Sequence, residues 1–347
     1  MKTTAPTLSL IIPCFNETDN IESTLNAVSD YLRNNYSGMD YEILPVNDGS
    51  TDNTPSLIAE YSKNHPQVIA GCGFEKNRGR GAAIKHGIAI SKGELVICLD
   101  ADLSYDVNHI GEILNSFNQD PAPDVVVVSA YMRGGTVKGV PLPRLILSRI
   151  ANWVLSGSFP CNLSTVTCVV RGYRGSLLRT TPFFEDSKEL HLEMLWKLFL
   201  RGARVVEIPG RLKWEQKKKA RRKNSLKIVS SAKQHLLYGL LLRPTRVFRM
   251  IAWVTLGIAM YESIVILVVT YGKFEFKETI VHSFWWALNQ SFMQSPHTFF
   301  IAGIAYLFSF QLIFFLVLFR VLMMHHAENQ RLLLHFGIQK EQNQGGD

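Results

Sequence analysis

Two uninterrupted apolar runs constrain this chain more than any other feature. Residues 250–271, MIAWVTLGIAMYESIVILVVTY, hold one ionisable acid, Glu262, and residues 298–319, TFFIAGIAYLFSFQLIFFLVLF, hold none. A helix needs roughly 20 predominantly apolar residues to cross a bilayer, and both runs meet that length. With almost no polar face to turn toward water, they fit poorly in a soluble domain and predict transmembrane helices. Lys and Arg precede the first run and Arg320 closes the second, so the positive-inside rule places both termini in the cytoplasm. The first apolar run, residues 8–12, is too short for a secretory h-region and lacks a cleavage site, so the expected location of the N-terminal part is the cytosol.

The net charge of +8 is local: residues 211–249 hold thirteen Lys or Arg against one acid, Glu215. Such a block can serve nucleic acid, a solvated helix face or an anionic membrane. Its position directly before an apolar run favours the membrane, and the absence of any recognition motif beyond charge argues against nucleic acid as a partner. The five cysteines form no CxxC pair and sit mostly in apolar runs, which reads as reduced core thiols rather than disulfides or metal ligands.

A chain of 347 residues can hold one sizeable domain and something smaller. Over the first 210 residues, short β-rich runs near 7–12, 41–46, 67–72, 94–99, 124–129 and 204–208 alternate with helical patterns near 20–35, 53–64, 80–91, 107–118, 144–156 and 188–201. That alternation predicts an α/β domain with a mostly parallel sheet, whose ligands bind at the carboxyl ends of the strands. Those ends are acidic. The run ELVICL leads into Asp100 and Asp102, two carboxylates on a two-residue spacing able to share one hard cation, Mg²⁺ or Mn²⁺, with phosphate oxygens. A second strand end supplies Asp48 beside Gly49, and a third supplies Glu17 and Asp19. Asx turns and helix caps account for part of this acidity; three acidic strand ends on one edge also suit a nucleotide diphosphate.

Taken in order and spacing, IIPCFNE, VNDGSTDNT, NRGRGAAIKHGI and ELVICLDADLS resemble the family 2 glycosyltransferases of the GT-A fold, most strongly over residues 7–130. The continuation RGYR at 171–174, ELHLEMLWKLFLRGARVVEIP at 189–209 and RRKNSLK at 221–227 resemble the polyprenyl-phosphate sugar transferases of the dolichol-phosphate mannose synthase type. The resemblance implies transfer of one hexose from a GDP- or UDP-linked sugar to a dolichyl or undecaprenyl phosphate. The reaction would take place at the cytosolic face of a prokaryotic plasma membrane or of the endoplasmic reticulum. It also implies roles for individual residues. Asp48 would contact the base, Pro13 and Glu17 would shape the nucleotide pocket, Asp100 would lie near the diphosphate, and Asp102 would hold the metal with Asp100. Arg144 and Arg174 would contact phosphate, and Arg144, Arg221, Arg222 and Lys227 would receive the acceptor phosphate.

The chain departs from that pattern at three places. Ser104 stands where a metal-sharing Gln is frequent, leaving water or Asp106 to complete the set; Ala130 stands where an Arg is usual, with only Arg133 able to reach back; and Cys168 replaces an Asp sometimes proposed as general base. A lipid phosphate is already ionised near neutral pH and needs no base, so the last departure suits such an acceptor.

The expected organisation is a GT-A domain over 1–210, a basic acceptor loop with interfacial amphipathic helices over 211–249, transmembrane helices over 250–271 and 298–320, a connecting loop over 272–297 and a cytosolic tail over 321–347. Within the loop, 225–242 places Leu226, Val229, Leu236, Leu237 and Leu240 largely on one side, as an interfacial helix would. A carboxylate inside a span is costly, so Glu262 is expected to be neutral and hydrogen-bonded to Gln311, Ser309 or Tyr306, including across a homo-oligomer interface. Two other readings stay open: a membrane glycosyltransferase acting on another lipid or a polysaccharide, and a non-catalytic scaffold. A processive synthase would normally carry Gln-x-x-Arg-Trp, which does not occur here, and a scaffold would be expected to have lost its carboxylates.

Overall fold

The computed structural model describes residues 7–156, 159, 163–214, 245–276 and 279–344. The chain divides into two compact units, Met1–Gly239 and Leu240–Asp347.

In the first unit, β1 (Leu8–Cys14), β2 (Tyr41–Asp48), β3 (Gly73–Phe74), β4 (Leu95–Cys98), β5 (Val125–Ser129), β7 (Arg171–Arg174) and β8 (Val205–Pro209) form one sheet in the order β3-β2-β1-β4-β7-β5-β8. All pairings are parallel except those of β7, which runs antiparallel between β4 and β5. Helices α1 (Ile21–Asn35), α2 (Thr54–Asn64), α3 (Arg80–Ile90), α4 (His109–Phe117), α5 (Leu142–Ser156), α6 (Gly175–Arg179) and α7 (Leu190–Leu200) connect the strands. Short β6 (Thr136–Lys138) and β9 (Arg211–Lys213) pair in a second parallel sheet. The central strands are near-continuous Val, Ile and Leu because helices cover both faces of a parallel sheet.

Most expected elements are present within a few residues of their predicted bounds. Three expectations change. The run at 67–72 forms only an isolated bridge, Ile43 to Val68, before two-residue β3. RGYR, read as a motif, is itself strand β7. Its Gly172 is required by close approach: a Cβ there would lie 2.2 Å from Ile113 Cγ2 of α4. The domain also continues past residue 210, because β9 is stitched in by Lys213 N–H to Ser104 O at 2.8 Å and Trp214 N–H to Lys138 O at 2.9 Å.

A polar triangle around the buried His109 joins α4 to β9. The Arg211 N–H donates to His109 Nε2 at 3.0 Å, which leaves the proton on Nδ1, 2.6 Å from Glu112 Oε2. The Arg211 guanidinium meets Glu112 Oε1 at 2.8 Å.

In the second unit, α8 (Thr245–Gly272) and α10 (Pro296–Gln344) contain Phe248–Gly272 and Pro296–Leu322, each long and apolar enough to cross a membrane. The expected loop between them instead contains a helix, α9 (Ile280–Gln294), capped by the Thr279 side chain. Small buried residues, Ala252 and Ala259 on α8 and Ala302 and Ser309 on α10, let α8 and α10 approach closely. Two of the three polar groups expected near Glu262 have other partners: Ser309 Oγ is 2.7 Å from Thr255 Oγ1 and Tyr306 Oη is 3.2 Å from Ser263 Oγ.

Burial holds the His109 imidazole below its ordinary value of 6.5, against the opposing pull of Glu112. The folded chain therefore binds fewer protons there than the unfolded chain. This contribution to stability is complete above the unfolded pKa and is lost as pH falls through the folded one. The melting temperature of the wild type in detergent should thus fall more steeply than that of His109→Gln between about pH 7.5 and about pH 5.

Candidate functional site

The parallel register delivers the acidic strand ends to one edge. Cys14 of β1 pairs with Asn47 of β2, and Ile11 of β1 pairs with Cys98 of β4. Asp48 closes β2, Pro13 and Glu17 lie at and just beyond the end of β1, and Asp100 and Asp102 follow β4.

Two of these strand ends are laced together. Asn16, in the left-handed region at φ 55°, takes the Thr51 N–H on its Oδ1 at 2.8 Å, and its own N–H donates to Ser50 Oγ at 3.0 Å. The Glu17 N–H donates to Thr54 Oγ1 at 2.8 Å, and Glu17 Oε2 accepts from Asn20 at 2.6 Å. Asp52 accepts from Thr54 and Thr18; burial pushes its carboxyl up, but these hydrogen bonds outweigh that and hold it below the ordinary value.

Asp48 is 3% exposed. Its carboxylate accepts from Asn77 Nδ2 at 3.0 Å, from the Arg78 N–H at 2.9 Å and from the Gly79 N–H at 3.0 Å. These charge-assisted bonds hold the turn that starts α3. Gly79 caps that helix at φ 105°, and a Cβ there would meet Asp186 O at 2.5 Å. The next residue, Arg80, points its guanidinium at Asp100, with Nη1 3.7 Å from Oδ1. Arg78 lies over the Phe74 ring, 4.7 Å from its centroid.

The Asp100 to Ser104 turn is held by the Leu103 N–H to Asp100 O at 3.2 Å, the Ser104 N–H to Asp102 Oδ1 at 3.0 Å, and the buried Thr24 hydroxyl to Ala101 O at 2.8 Å. Ser104 offers its carbonyl to β9, while Asp106 caps the Asn108 N–H at 2.9 Å. Cys168 is buried beside Asp100 and Tyr105, and burial followed by the Asp100 charge pushes its thiol up to about 12.

Asp100 and Asp102 are partly exposed hard oxygen donors on one turn. Among the described residues no three acidic, His or Cys side chains converge as a self-sufficient cation site. The donor set fits a cation that draws its remaining oxygens from a bound diphosphate.

Arg174 is a correction. It pairs with Leu95 at the start of β4, so it lies at the opposite end of the strand from Asp100, with Nε 3.6 Å from Asp124 Oδ1. The antiparallel direction of β7 puts Arg171 at the site end instead, fully buried and donating to His191 O at 2.8 Å. Arg144 lies on α5 with its guanidinium 4.0 Å from the Trp214 ring centroid. Arg221, Arg222 and Lys227 lie outside the described residues, as does the amphipathic run 225–242. Arg80 was missed by the sequence reading; its signal was its place inside NRGRG, directly before a helix.

A mostly parallel sheet with a helix N-terminus and two acidic turns at its carboxyl edge is the architecture of an α/β nucleotide-binding domain. Residues 9–180 match the model of glycosyl transferase family 2, and this segment is a glycosyltransferase domain of that family with the GT-A fold. Among curated proteins, the chain is 28% identical over 213 residues to poly-beta-1,6-N-acetyl-D-glucosamine synthase of Staphylococcus aureus strain MSSA476. That match covers 60% of this chain and 49% of the relative, so the chain spans about half the length of the curated relatives it matches. Among solved structures it is similar to a mannosyltransferase from Pyrobaculum calidifontis in complex with GDP-Man and Mn²⁺, at 17% identity and TM-score 0.47 over 95% of this chain and 88% of that one. It is also similar to glucosyl-3-phosphoglycerate synthase from Mycobacterium tuberculosis, at 20% identity and TM-score 0.46 over 68% and 78%.

Removing the Asp48 carboxylate would take the acceptor from two partly buried N–H groups and from the Asn77 amide. Asp48→Ala should therefore destabilise the domain by about 3 kcal/mol, seen as a lower melting temperature. Arg174→Ala breaks only a partly exposed pair and should cost less than about 1 kcal/mol, with sugar turnover within about twofold of wild type.

Proposed function

We propose that this protein transfers a single hexose from a nucleotide sugar to a polyprenyl phosphate at the cytosolic face of a membrane. The observation that carries this reading is the meeting of Asp48, Arg80, Asp100 and Asp102 at one sheet edge, in a chain that also holds two helices long and apolar enough to span a bilayer.

The residues divide the work. Asp48 holds the Asn77 to Gly79 turn and leaves the rim of the pocket, with Pro13 and Glu17, to the nucleoside. Asp100 and Asp102 would hold Mg²⁺ or Mn²⁺, which when bound neutralises the diphosphate and eases its departure. Arg80 sits beside Asp100 and supplies a second positive charge to the same leaving group. Transfer then requires the acceptor oxygen in line behind the anomeric carbon. Cys168 offers a buried thiol rather than a carboxylate, so no base stands at that position for a sugar hydroxyl. An acceptor that arrives ionised, such as a lipid phosphate, fits this arrangement. Arg144 and the basic segment with Arg221, Arg222 and Lys227 are the cations proposed to receive it. The apolar helices α8 and α10 would hold the enzyme in the plasma membrane of a prokaryote or in the endoplasmic reticulum.

A polysaccharide or other lipid acceptor is the second reading, favoured by the 28% identity to the S. aureus synthase. Purified protein in detergent, offered GDP- and UDP-sugars with either a polyprenyl phosphate or oligosaccharide acceptors, separates the two. The expected product is one hexose per lipid phosphate, and chain growth on a sugar acceptor would overturn the reading. EDTA should abolish transfer, and Asp102→Ala should lower it by about a thousandfold, the scale of removing a charge-stabilising group from a transition state.

A further inference from the structure

Helix α8 carries a carboxyl group that its own unit leaves without a partner. Glu262 is half-exposed on the helix surface and, among the described residues, makes no hydrogen bond or ion pair. It lies between Phe248 and Gly272, nearer the second, and about 15 Å separates it from that end of the span. Water is beyond the reach of a Glu side chain from there, and lipid at that depth offers no hydrogen bond. Helix α10 supplies none either. Ser309 and Tyr306 are bonded to Thr255 and Ser263, and Gln311 is exposed about 160° around α10 from Ser309, on the side away from α8.

The residues around Glu262 identify what meets it. Ile251, Thr255, Ile258, Glu262, Val265 and Val269 follow one another at alternating intervals of four and three. That spacing averages about 3.5, the repeat that keeps one seam of two parallel helices in contact along a left-handed crossing. Every member of the row except Glu262 is β-branched, and such side chains lose little freedom when packed. The row runs along the flank of α8, about 90° around the helix from the α10-facing line of Ala252 and Ala259. Its members are half-buried, with Ile258 the most open at 44%, while Trp253, Tyr261 and Val268 elsewhere on the helix are 71%, 65% and 64% exposed. A second copy of the chain inserts in the same orientation, so its α8 runs parallel to the first. A two-fold axis along the membrane normal then sets identical residues opposite each other at equal depth. Glu262 meets Glu262, and the two carboxyl groups can share protons in hydrogen bonds that neither lipid nor α10 provides. A different membrane protein satisfies the carboxyl only if it happens to carry a polar group at this depth; a second copy always does.

We infer that this row is a dimer seam, at which α8 of two copies packs in parallel with the Glu262 carboxyl groups hydrogen-bonded to each other. The inference rests on the proposed anchoring of the chain by α8 and α10, since only a lipid surrounding makes a carboxyl without a partner costly. The seam uses a different side of α8 from the one that packs on α10, so each copy keeps its own pairs of Thr255 with Ser309 and Ser263 with Tyr306. One polar residue in an otherwise apolar seam also fixes register, because a slip of one turn sets each carboxyl against an apolar side chain.

The test uses the full chain in phosphatidylcholine vesicles. A carbonate wash comes first, and release of the chain would overturn the anchoring and the seam together. With the chain retained, copies tagged with a donor or an acceptor fluorophore are mixed and diluted with lipid. The expected result is energy transfer above the level of chance encounters, lost on addition of untagged chain. Transfer at the chance level would overturn the seam alone, leaving lipid or another protein as the cover. Glu262→Leu should weaken the dimer about tenfold, the scale of an interhelical polar contact in lipid. Glu262→Gln, whose amides can pair in the same place, should stay within about threefold of wild type. A leucine variant that dimerises like wild type would overturn the carboxyl pairing. Cysteines introduced one at a time then locate the face, read against the background of the five native cysteines. Oxidation should link Ile251→Cys, Ile258→Cys and Val265→Cys chains into dimers and leave Ile264→Cys and Leu267→Cys chains monomeric, and the reverse pattern would overturn the seam. Sugar transfer bears on the proposed function alone: a dimer with this pattern and no transfer supports the seam while that reading falls.

Discussion

The candidate site depends on the buried carboxylate of Asp48. Its oxygens gather the side chain of Asn77 and the N–H groups of Arg78 and Gly79, so the residue that ends β2 also sets where α3 begins. A charged group this deep is tolerated only because several donors surround it. Once the turn is fixed, Arg80 opens α3 at the carboxyl edge of the sheet, and its guanidinium lies 3.7 Å from Asp100, which follows β4. A residue that the sequence presents as a ligand contact is thus first a structural clamp.

Other buried polar groups act in the same way at the opposite end of the strands. Glu42, within β2, accepts from the Ser9 hydroxyl at 2.5 Å and the Lys92 N–H at 2.6 Å, and Ser9 Oγ accepts from the Gly93 N–H at 2.7 Å. This chain ties β1, β2 and the entry to β4 at their amino ends, while Thr24 ties α1 to the Asp100 turn at the carboxyl end. Both ends of the central strands are pinned, so register cannot slip without leaving buried donors unmet. A fixed edge matters for group transfer because a displacement of an ångström at the diphosphate is enough to misalign the reacting atoms.

The two units bury different kinds of side chain. The first follows the rules of a soluble α/β domain, with charged groups such as Asp48 and Glu42 buried among hydrogen-bond donors. In the second, the segments Phe248–Gly272 and Pro296–Leu322 expose many apolar side chains and bury small residues and paired hydroxyls between them, the arrangement expected of helices that pack in lipid.

The sequence by itself determined the element order, the parallel character of the main sheet, the acidic strand ends and the two long apolar helices. Each of these is written locally, in period, composition and strand-end chemistry. It did not determine the direction of β7. A four-residue strand of RGYR has no period to read, and only its place between β4 and β5 decides that Arg171 lies at the site end and Arg174 at the other. Nor did it reveal the Arg80 to Asp100 pair, which depends on the distance between a helix start and a strand end twenty residues apart in the chain. The helical α9 was hidden for a different reason: its apolar residues, mixed with His, Ser, Asn and Gln, read as a connection.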